Sequence, residues 1–464
     1  MDEGNGDSRQ EKNNSGAAAV ARLLPPLVLG AMLNPLNSTM LSTALTQLTH
    51  SFGRDVSSGA LLITPLYITA TIAQPLMGRL ADIYSPKLVN MAGLGLVLAA
   101  AIVGIVAPSF GWLIFSRILL GLGTSANYPS AIAILRRHYA KEGRVMPQSA
   151  LGWITMGGQV SLVLGPVIGG VLTEWLGWKG IFLINIPLVA VTLWLLRRIP
   201  KEGAGTRRSL DLPGIFIFSL LLVTLFFTLT IRPLSWYEPV ALGVLLGGLI
   251  LWEKGKDDPF IHVRLFWQQP FLALVYIQAV ASNYILYLTL YGLPQWLEGV
   301  KGLSPSATGL ILLPMSLMAV VSALIVPRWG RAWLTNLLAV VSAGAGSTAL
   351  FLLHAGSPVI LVVGVSMLMG IATGVNPIAN QISLNEEAPQ HLTGISFGLY
   401  RTFAYLGAIA SGAQLKSIFR KGLTDAGLRE IATCATYSAL ILIVLYLPVW
   451  LRRERRRPVG AVTA

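Results

Sequence analysis

Residues 88–108, LVNMAGLGLVLAAAIVGIVAP, form a continuous apolar run without a charged side chain. About 20 apolar residues span a bilayer as a helix, because a helix satisfies its backbone polar groups within its own segment. The same pattern recurs along the chain. Of its 464 residues, 54% are hydrophobic and 12% are charged, which is too little charge for a soluble protein of this length. The sequence therefore predicts a polytopic helical membrane protein. The alternating ten-residue strands of a β-barrel do not fit these longer runs.

Fourteen stretches of spanning length are predicted. Their approximate limits are 23–48, 58–79, 88–108, 111–136, 148–174, 178–198, 212–231, 237–252, 265–293, 304–325, 333–353, 358–380, 392–414 and 431–451. Charged linkers flank the seventh and eighth stretches, so six spans lie on either side of this central pair. Two six-span halves are the layout of a pseudo-symmetric carrier whose site lies at the membrane midplane.

The predicted fold class is thus an all-α integral membrane protein with fourteen transmembrane helices. The expected divisions are a disordered cytoplasmic tail (1–22), a six-helix bundle (23–198), linkers with two extra helices (199–264), a second six-helix bundle (265–451) and a basic cytoplasmic tail (452–464).

The net charge of +14 is distributed unevenly. With the N-terminus inside, 24 of the 34 Lys and Arg residues fall on the cytoplasmic side and 8 on the outer side. This bias follows the positive-inside rule and predicts a multi-pass protein of the plasma membrane, the inner membrane of a bacterium, with both termini in the cytoplasm. The basic residues thus indicate topology and contact with membrane lipid, not nucleic acid.

Two cations lie within the predicted spans, Arg117 in the fourth and Arg401 in the thirteenth. A charge at mid-membrane costs about 2.5–3.5 kcal/mol on insertion scales. Each arginine could reach an interface or bond to backbone carbonyls in a structural role. Arg401 lies deeper in its span than Arg117 does, which favours a cavity or pathway role for Arg401.

Polar residues at three- and four-residue spacing follow single faces of spans 1, 4, 9 and 12. Such stripes bond helices to one another in many membrane proteins. Their presence in both halves favours a shared aqueous cavity. The predicted cavity residues are Asn34, Asn37, Thr124, Tyr128, Asn283, Tyr287, Asn376, Asn380 and Arg401.

Signals for an enzyme or a bound cofactor are absent from the sequence. No phosphate-cradling P-loop occurs, the five histidines stand at no metal-ligand spacing, and Cys434 is the only cysteine. We therefore predict neither catalytic residues nor a metal or cofactor. None of the central segments of the spans holds an Asp or Glu. If protons are coupled, their carrier must be an acid at a span end or the substrate itself, and permanent organic cations are disfavoured.

The second span continues into a loop that reads GRLADIYSPK over residues 78–87. This loop resembles the signature loop of the major facilitator superfamily. The matching residues are Gly78, Leu80, Ala81, Asp82 and Lys87. The resemblance implies that Asp82 belongs to a charge relay that latches the cytoplasmic side in the outward-open state.

Two further segments look like motifs of the same family. Residues 117–123, RILLGLG, resemble a motif associated with proton transfer, and residues 165–170, GPVIGG, resemble an element typical of antiporters. The glycines of the second segment permit close helix packing and its proline bends the helix, so the segment could also be only a packing kink. The resemblance implies this coupling set: Gly78, Asp82, Lys87, Arg117, Gly165, Pro166, Gly169 and Gly170.

The fourteen spans, with LDLPG at 210–214 and GLSP at 302–305, resemble the fourteen-span drug:proton antiporter branch over residues 23–451. That branch often has Asp-x-Thr in span 1, whereas this chain has Asn-Ser-Thr at 37–39, so an amide replaces the carboxylate that would carry the proton. The resemblance implies a monomeric secondary active transporter. It would export a small drug-like solute, neutral or anionic, by alternating access, with protons as a second partner.

Two other readings of the sequence remain open. The first is a uniporter or uptake symporter for a small acid or sugar on the same fold, because a fold does not fix its substrate. The second is a non-transporting receptor or membrane enzyme. An enzyme needs a clustered catalytic set, which the sequence does not offer. A receptor would usually carry a larger soluble domain than the 22-residue tail.

Overall fold

The computed structural model of the protein describes residues 23–143, 146, 148–199, 211–230, 236–256, 259–261, 264–329, 332–388 and 393–455. The predicted N-terminal tail and most of the basic C-terminal tail lie outside these ranges. The α-helices are α1 (23–40), α2 (Leu45–Ser51), α3 (Ala60–Ile83), α4 (Pro86–Val106), α5 (Phe110–Lys141), α6 (Gln148–Leu176), α7 (Gly180–Leu183), α8 (Asn185–Arg197), α9 (Leu212–Thr230), α10 (Tyr237–Lys254), α11 (Arg264–Gln268), α12 (Pro270–Gly299), α13 (Pro305–Ile325), α14 (Ala332–Ala349), α15 (Val359–Glu387), α16 (Thr393–Ile418) and α17 (Asp425–Arg455).

Each of the fourteen predicted stretches overlaps a helix of this set. Ten described helices are long and apolar enough to cross a membrane, and α6 makes eleven if its two segments, bent by 43°, count as one span. The molecule is therefore a multi-pass helical membrane protein, while fourteen crossings stay a prediction. Helix α16, which contains Arg401 and Lys416, is not among these ten helices.

The first predicted span is not one continuous helix. Helix α1 ends at residue 40, a 3₁₀ turn covers Leu41–Thr43, and α2 follows. Hydroxyl groups near the break bond to backbone carbonyls: Thr39 Oγ1 to Pro35 O at 2.8 Å and Ser42 Oγ to Thr39 O at 2.7 Å. Such local side-chain bonds compete with the helical ladder and explain why the helix stops here.

The ninth predicted span is shifted along the chain. Its first residues form the short helix α11, and the long helix begins at Pro270, where a missing N–H costs nothing in the first turn. Helix α12 then continues to Gly299, six residues beyond the predicted limit of 293. The added turn carries Gln295 and Trp296, both buried.

Following the two predicted six-span halves, we call α1–α8 the N-half and α12–α17 the C-half. In the N-half α3 and α4 pack on α5, and in the C-half α12 packs on α16 and α17. Two seams join the halves, α6 against α13 and α3 against α16. The intervening pair, α9 and α10, packs on itself and lies against α3 and α16.

Contacts across the seams concentrate toward one end of the molecule, which is the outer end in the predicted topology. Gly170 of α6 faces the carbonyl of Pro305, and Gly309 of α13 faces that of Pro166. The N–H of Ser306 donates to Glu174 Oε2 at 3.1 Å. Near the other end, a Cβ built on Gly398 of α16 would meet nothing within 4 Å. The described contacts thus close the predicted outer end of the interface between the halves.

Candidate functional site

A cation and a tyrosine from opposite halves meet near the middle of the interface. The Arg401 guanidinium carbon lies 3.7 Å from the centre of the Tyr128 ring, a cation–π distance. One turn further along α16, the Tyr405 hydroxyl interacts with the Gln74 side chain of α3. All four side chains are partly exposed. We call Gln74, Tyr128, Arg401 and Tyr405 the central cluster.

A layer of tyrosines lies on the predicted outer side of the central cluster. Tyr67 of α3 packs on Tyr287 with ring centres 4.9 Å apart, and on Tyr405 at 5.7 Å. The Tyr67 and Tyr291 hydroxyls are 3.1 Å apart, and Tyr291 also donates to the Ser38 carbonyl at 2.9 Å. Because these contacts join α1 and α3 to α12, the layer ties the two halves together above the central cluster.

Of the predicted cavity residues, Tyr128 and Arg401 lie in the central cluster and Tyr287 lies in the tyrosine layer beside it. Asn34 and Thr124 join α1 to α5 through a hydrogen bond of 2.8 Å from Asn34 Nδ2. Asn34 keeps part of its surface exposed, so it can still contribute an amide to the interface between the halves.

Asn37 lies elsewhere, because its side chain is buried between α1 and α8. Asn37 Nδ2 donates to Asn185 Oδ1 at 2.6 Å, and Asn185 Nδ2 returns a bond of 2.8 Å to Asn37 Oδ1. This reciprocal pair satisfies both amides within the N-half. We therefore correct the expectation that Asn37 faces the substrate cavity, since packing turns it toward Asn185.

The three predicted asparagines of the C-half also bond within their own half. Asn283 donates to the Ala279 carbonyl at 2.9 Å, and Asn376 donates to that of Ala339 at 3.1 Å. Asn380 bonds to the hydroxyls of Ser282 and Tyr446 and is 1% exposed. Asn283 and Asn376 line a narrow crevice between α12, α14 and α15. The structure does not bring these asparagines to the central cluster.

A second, narrow crevice does span the two halves. Leu162 and Pro166 of α6 face Thr289, Leu312 and Ser316 of the C-half across it. Its lining is mainly apolar, which suits a lipophilic group better than a charged one.

Arg117 is fully buried near the predicted outer third of α5. Its Nη1 lies 3.4 Å from the Asn37 carbonyl, and its guanidinium lies 5.4 Å from the Phe182 ring centre. Its Nε and Nη2 have no hydrogen-bond partner among the described residues. Arg117 also interacts electrostatically with Tyr67 and Tyr291, so it lies beside the tyrosine layer and not in the central cluster.

The residues of the signature loop bind helix ends. Lys87 Nζ donates to the carbonyl of Ile199 and, at 3.3 Å, to that of Arg197, at the C-terminal end of α8. A cation there complements the partial negative charge of the helix end. Arg137 donates likewise to the carbonyls of Ala81 and Asp82 at the end of α3, both at 3.1 Å. A Cβ built on Gly78 would lie at an ordinary contact distance, 3.7 Å, from Pro129 Cβ.

The glycines of the 165–170 segment allow α6 to approach two other helices. A Cβ on Gly165 would lie 1.7 Å from Thr39 Oγ1, and one on Gly169 would lie 2.5 Å from the Met40 carbonyl, both in the N-half. A Cβ on Gly170 would lie 2.3 Å from the Pro305 carbonyl of the C-half. The Pro166 carbonyl accepts from Thr43 Oγ1 at 3.3 Å. One segment thus packs against both halves.

Sequence reasoning missed Tyr67, Gln74 and Tyr405. Tyr405 follows Arg401 by four residues, and Gln74 follows Tyr67 by seven, so each pair shares a helix face. That spacing was a signal available in the sequence. Asn185 had no such signal, because its partner lies 148 residues away. In the described part of the chain, no three His, Cys, Asp or Glu side chains are placed to hold a metal ion.

Comparison with known proteins agrees with this architecture. The family model of the Major Facilitator Superfamily matches residues 27–412. The chain is 33% identical over 423 residues to the uncharacterized MFS-type transporter YwoD of Bacillus subtilis (strain 168), covering 88% of this chain and 92% of YwoD. It is 25% identical over 458 residues to the Methylenomycin A resistance protein of the same organism, covering 96% of this chain and 97% of the relative.

A solved structure shares the fold. A bacterial homologue of the human lysosomal transporter Spinster, in an inward-facing and unoccupied conformation, superposes with a TM-score of 0.67 at 15% identity, covering 96% of this chain and 99% of that one. The family-model match spans most of the chain, and YwoD is similar over nearly its full length. The chain therefore belongs to the major facilitator superfamily of transporters.

Proposed function

We propose that this transporter is a secondary active exporter of small drug-like organic solutes that are neutral or anionic. In this proposal the N-half and C-half rock around the central cluster, which alternately faces the two sides of the membrane. The observation that carries the proposal is the position of Arg401. It is a cation within a predicted span, it contacts the ring of Tyr128 from the other half, and no described residue gives it an acidic partner.

The chemistry of the central cluster supports the substrate class. An anionic group can bind Arg401 through charge-assisted hydrogen bonds, which are the stronger kind. The surrounding tyrosines and the apolar crevice offer surface for a lipophilic body. A permanent cation would meet the Arg401 charge, and the central segments of the helices hold no carboxylate that would offset its desolvation.

The direction of transport is proposed from two likenesses. A full-length relative is named as a resistance protein, and a transporter confers resistance by lowering the amount of a compound inside the cell. The 165–170 segment resembles the antiporter element. Coupling to protons is part of this proposal, with the proton carried by an acid at a helix end or by the substrate.

An uptake symporter or uniporter for a small acid is the second candidate, because Arg401 suits that substrate equally well. The direction of movement separates the two. Inverted membrane vesicles containing the protein accumulate an exported solute, whereas right-side-out vesicles accumulate an imported one.

The test uses a panel of fluorescent aromatic carboxylates, neutral compounds and ethidium, with and without an imposed pH gradient. We expect inverted vesicles to accumulate carboxylates or neutral compounds in a gradient-dependent manner, and the Arg401→Gln variant to lose the carboxylates preferentially. Vesicles lacking the protein give the background. Gradient-driven accumulation of ethidium to a higher level than any carboxylate or neutral compound would overturn the substrate class.

A further inference from the structure

Two acidic side chains meet at the predicted cytoplasmic end of the inserted helix pair. Asp211 immediately precedes α9, and Glu253 lies near the end of α10, beyond the predicted span 237–252. Asp211 is 8% exposed and Glu253 is 1% exposed. Asp211 Oδ1 accepts from Trp252 Nε1 at 3.0 Å and from the Gly214 N–H at 3.3 Å. These bonds hold the start of α9 against the end of α10.

The remaining carboxyl oxygens border a single gap at Gly214. A Cβ built on this glycine would lie 2.5 Å from Asp211 Oδ2 and 2.6 Å from Glu253 Oε1. Asp211 Oδ2 has no hydrogen-bond partner within the described ranges, and the Glu253 carboxyl has no side-chain partner there, although the backbone N–H groups of Phe260 and Ile261 act on it. Two buried carboxylates that face one gap cannot both remain charged at low cost, because each ion raises the energy of the other.

Among the described residues, few charged groups act on the Glu253 carboxyl. Arg79 at the end of α3 attracts the Glu253 carboxylate, but its Nη2 is already bonded to the Pro259 carbonyl at 2.5 Å. Lys256 lies over the Trp252 ring at 4.5 Å. Helix α16, which packs on α9, has no charged residue among 393–400. Burial first, and Asp211 second, raise the pKa of Glu253 to about 7.

We propose that the Glu253 carboxyl, beside Asp211, binds a proton that makes this junction a clasp sensitive to cytoplasmic pH. With the proton bound, Asp211 faces a neutral group across Gly214, and α9 stays packed on α10. When the proton leaves to water, two like charges face each other in a buried gap. The junction is therefore most stable at acidic pH, and it loses stability as pH rises from the ordinary carboxyl pKa of 4.5 to the Glu253 pKa of about 7.

The clasp also contacts elements other than α9 and α10. Arg79 belongs to α3 of the N-half, and the segment 259–261 bonded to it leads into the C-half. Backbone N–H groups of Phe260 and Ile261 also act on the Glu253 carboxyl. Opening the clasp therefore loosens a connection between the inserted pair and both halves, independently of the central cluster.

The first test is infrared spectroscopy of the purified full-length protein in lipid, which needs no substrate. The C=O band of a protonated carboxyl is expected to disappear as pH rises, with a midpoint near neutrality. Glu253→Gln should remove this transition. Asp211→Asn, which keeps a helix-capping side chain, should shift it to lower pH, because the repelling charge is gone. Glu142→Gln, at an exposed acid, should leave it unchanged.

The second test follows hydrogen exchange in α9 and α10, corrected for the intrinsic effect of pH. The wild type should lose protection in these helices as pH rises from about 4.5 to about 7 and should change no further above that, whereas Glu253→Gln should show the same protection throughout. A wild-type spectrum without a transition near neutrality, or a transition retained in Glu253→Gln, would overturn the proton site. Equal pH dependence of exchange in both proteins would overturn the clasp.

Discussion

In our proposal, substrate selection depends on the positive charge of Arg401. Its guanidinium lies over Tyr128 and is partly exposed at the interface between the halves. A hydrogen bond to a charged group contributes about 1.5–3 kcal/mol. Arg401→Gln should therefore weaken the apparent affinity for an anionic substrate by about 10- to 100-fold, and Arg401→Lys by less. The measurement is the substrate concentration dependence of transport in vesicles.

A matched control is Arg429→Gln, which removes an exposed arginine near the predicted outer end of α17. It should leave the apparent affinity unchanged. If both glutamine variants behave alike, the effect comes from net charge, and Arg401 does not contact the substrate.

Asn37 is a second position at which a single side chain has a large predicted effect, in this case on the stability of the fold. Its amide and that of Asn185 satisfy each other inside the N-half. Leaving one buried polar partner unsatisfied costs about 1–3 kcal/mol. Asn37→Ala should therefore lower the thermal unfolding temperature in detergent, and Asn37→Leu combined with Asn185→Leu should recover part of the loss. Transport affinity should stay at the wild-type value.

An Asn37→Ala protein that unfolds at the wild-type temperature but has weakened transport affinity would contradict this prediction. That result would indicate that Asn37 faces the substrate cavity.

At the scale of helices, close contact between α6 and α13 depends on Gly170. A methyl group there would lie 2.3 Å from the Pro305 carbonyl, a backbone atom that cannot move aside as a side chain can. Gly170→Ala should therefore disfavour the conformation that is closed at the predicted outer end. Gly152→Ala on the same helix is the control, because a Cβ there meets nothing within 4 Å.

The readout is a cysteine placed at Gln295, a buried position on α12, in a Cys434→Ser background. An impermeant maleimide added from outside should label it faster in Gly170→Ala than in Gly152→Ala. Equal labelling rates would mean that the α6–α13 contact does not limit opening.

At the scale of the whole molecule, the tyrosine layer connects the two halves through hydroxyl groups. Tyr291 bonds to the Ser38 carbonyl and lies 3.1 Å from the Tyr67 hydroxyl. Tyr291→Phe keeps the ring and deletes both bonds. We expect the population closed at the predicted outer end to fall by a few-fold, since each net hydrogen bond contributes about 0.5–1.5 kcal/mol.

Spin labels at Ser58 and Lys421 report this change, because these residues lie on two turns that contact each other across the interface between the halves. Opening of the predicted outer end should add a population with a longer distance between the two labels. Tyr437→Phe, at a ring 65% exposed on the outer face of α17, should leave the distances unchanged. Distances in Tyr291→Phe that match the wild type would show that the hydroxyl groups do not hold the halves together.

The sequence by itself determined the helical membrane architecture, because long apolar runs without internal charge have one stable arrangement in lipid. It also pointed to Arg401, since a charge in an apolar span is costly and stands out. The 165–170 glycines could be predicted as packing sites for the same kind of local reason. The helix limits within spans 1 and 9 could not be predicted from the apolar runs. In span 1 the helix ends near Thr39 and Ser42, whose hydroxyl groups bond to backbone carbonyls. In span 9 the long helix begins only at Pro270.

Only the tertiary structure decided which polar groups meet. Asn34 and Asn37 lie three residues apart, which places their side chains about 60° apart around the helix axis. Because of this rotation, Asn34 bonds to Thr124 whereas Asn37 bonds to Asn185. Asp211 and Glu253 meet because α9 and α10 fold back on each other, although 41 residues separate Asp211 from its other partner, Trp252. The periodicity of the sequence predicts which residues share one face of a helix. Which helix packs against that face depends on how all the helices pack together.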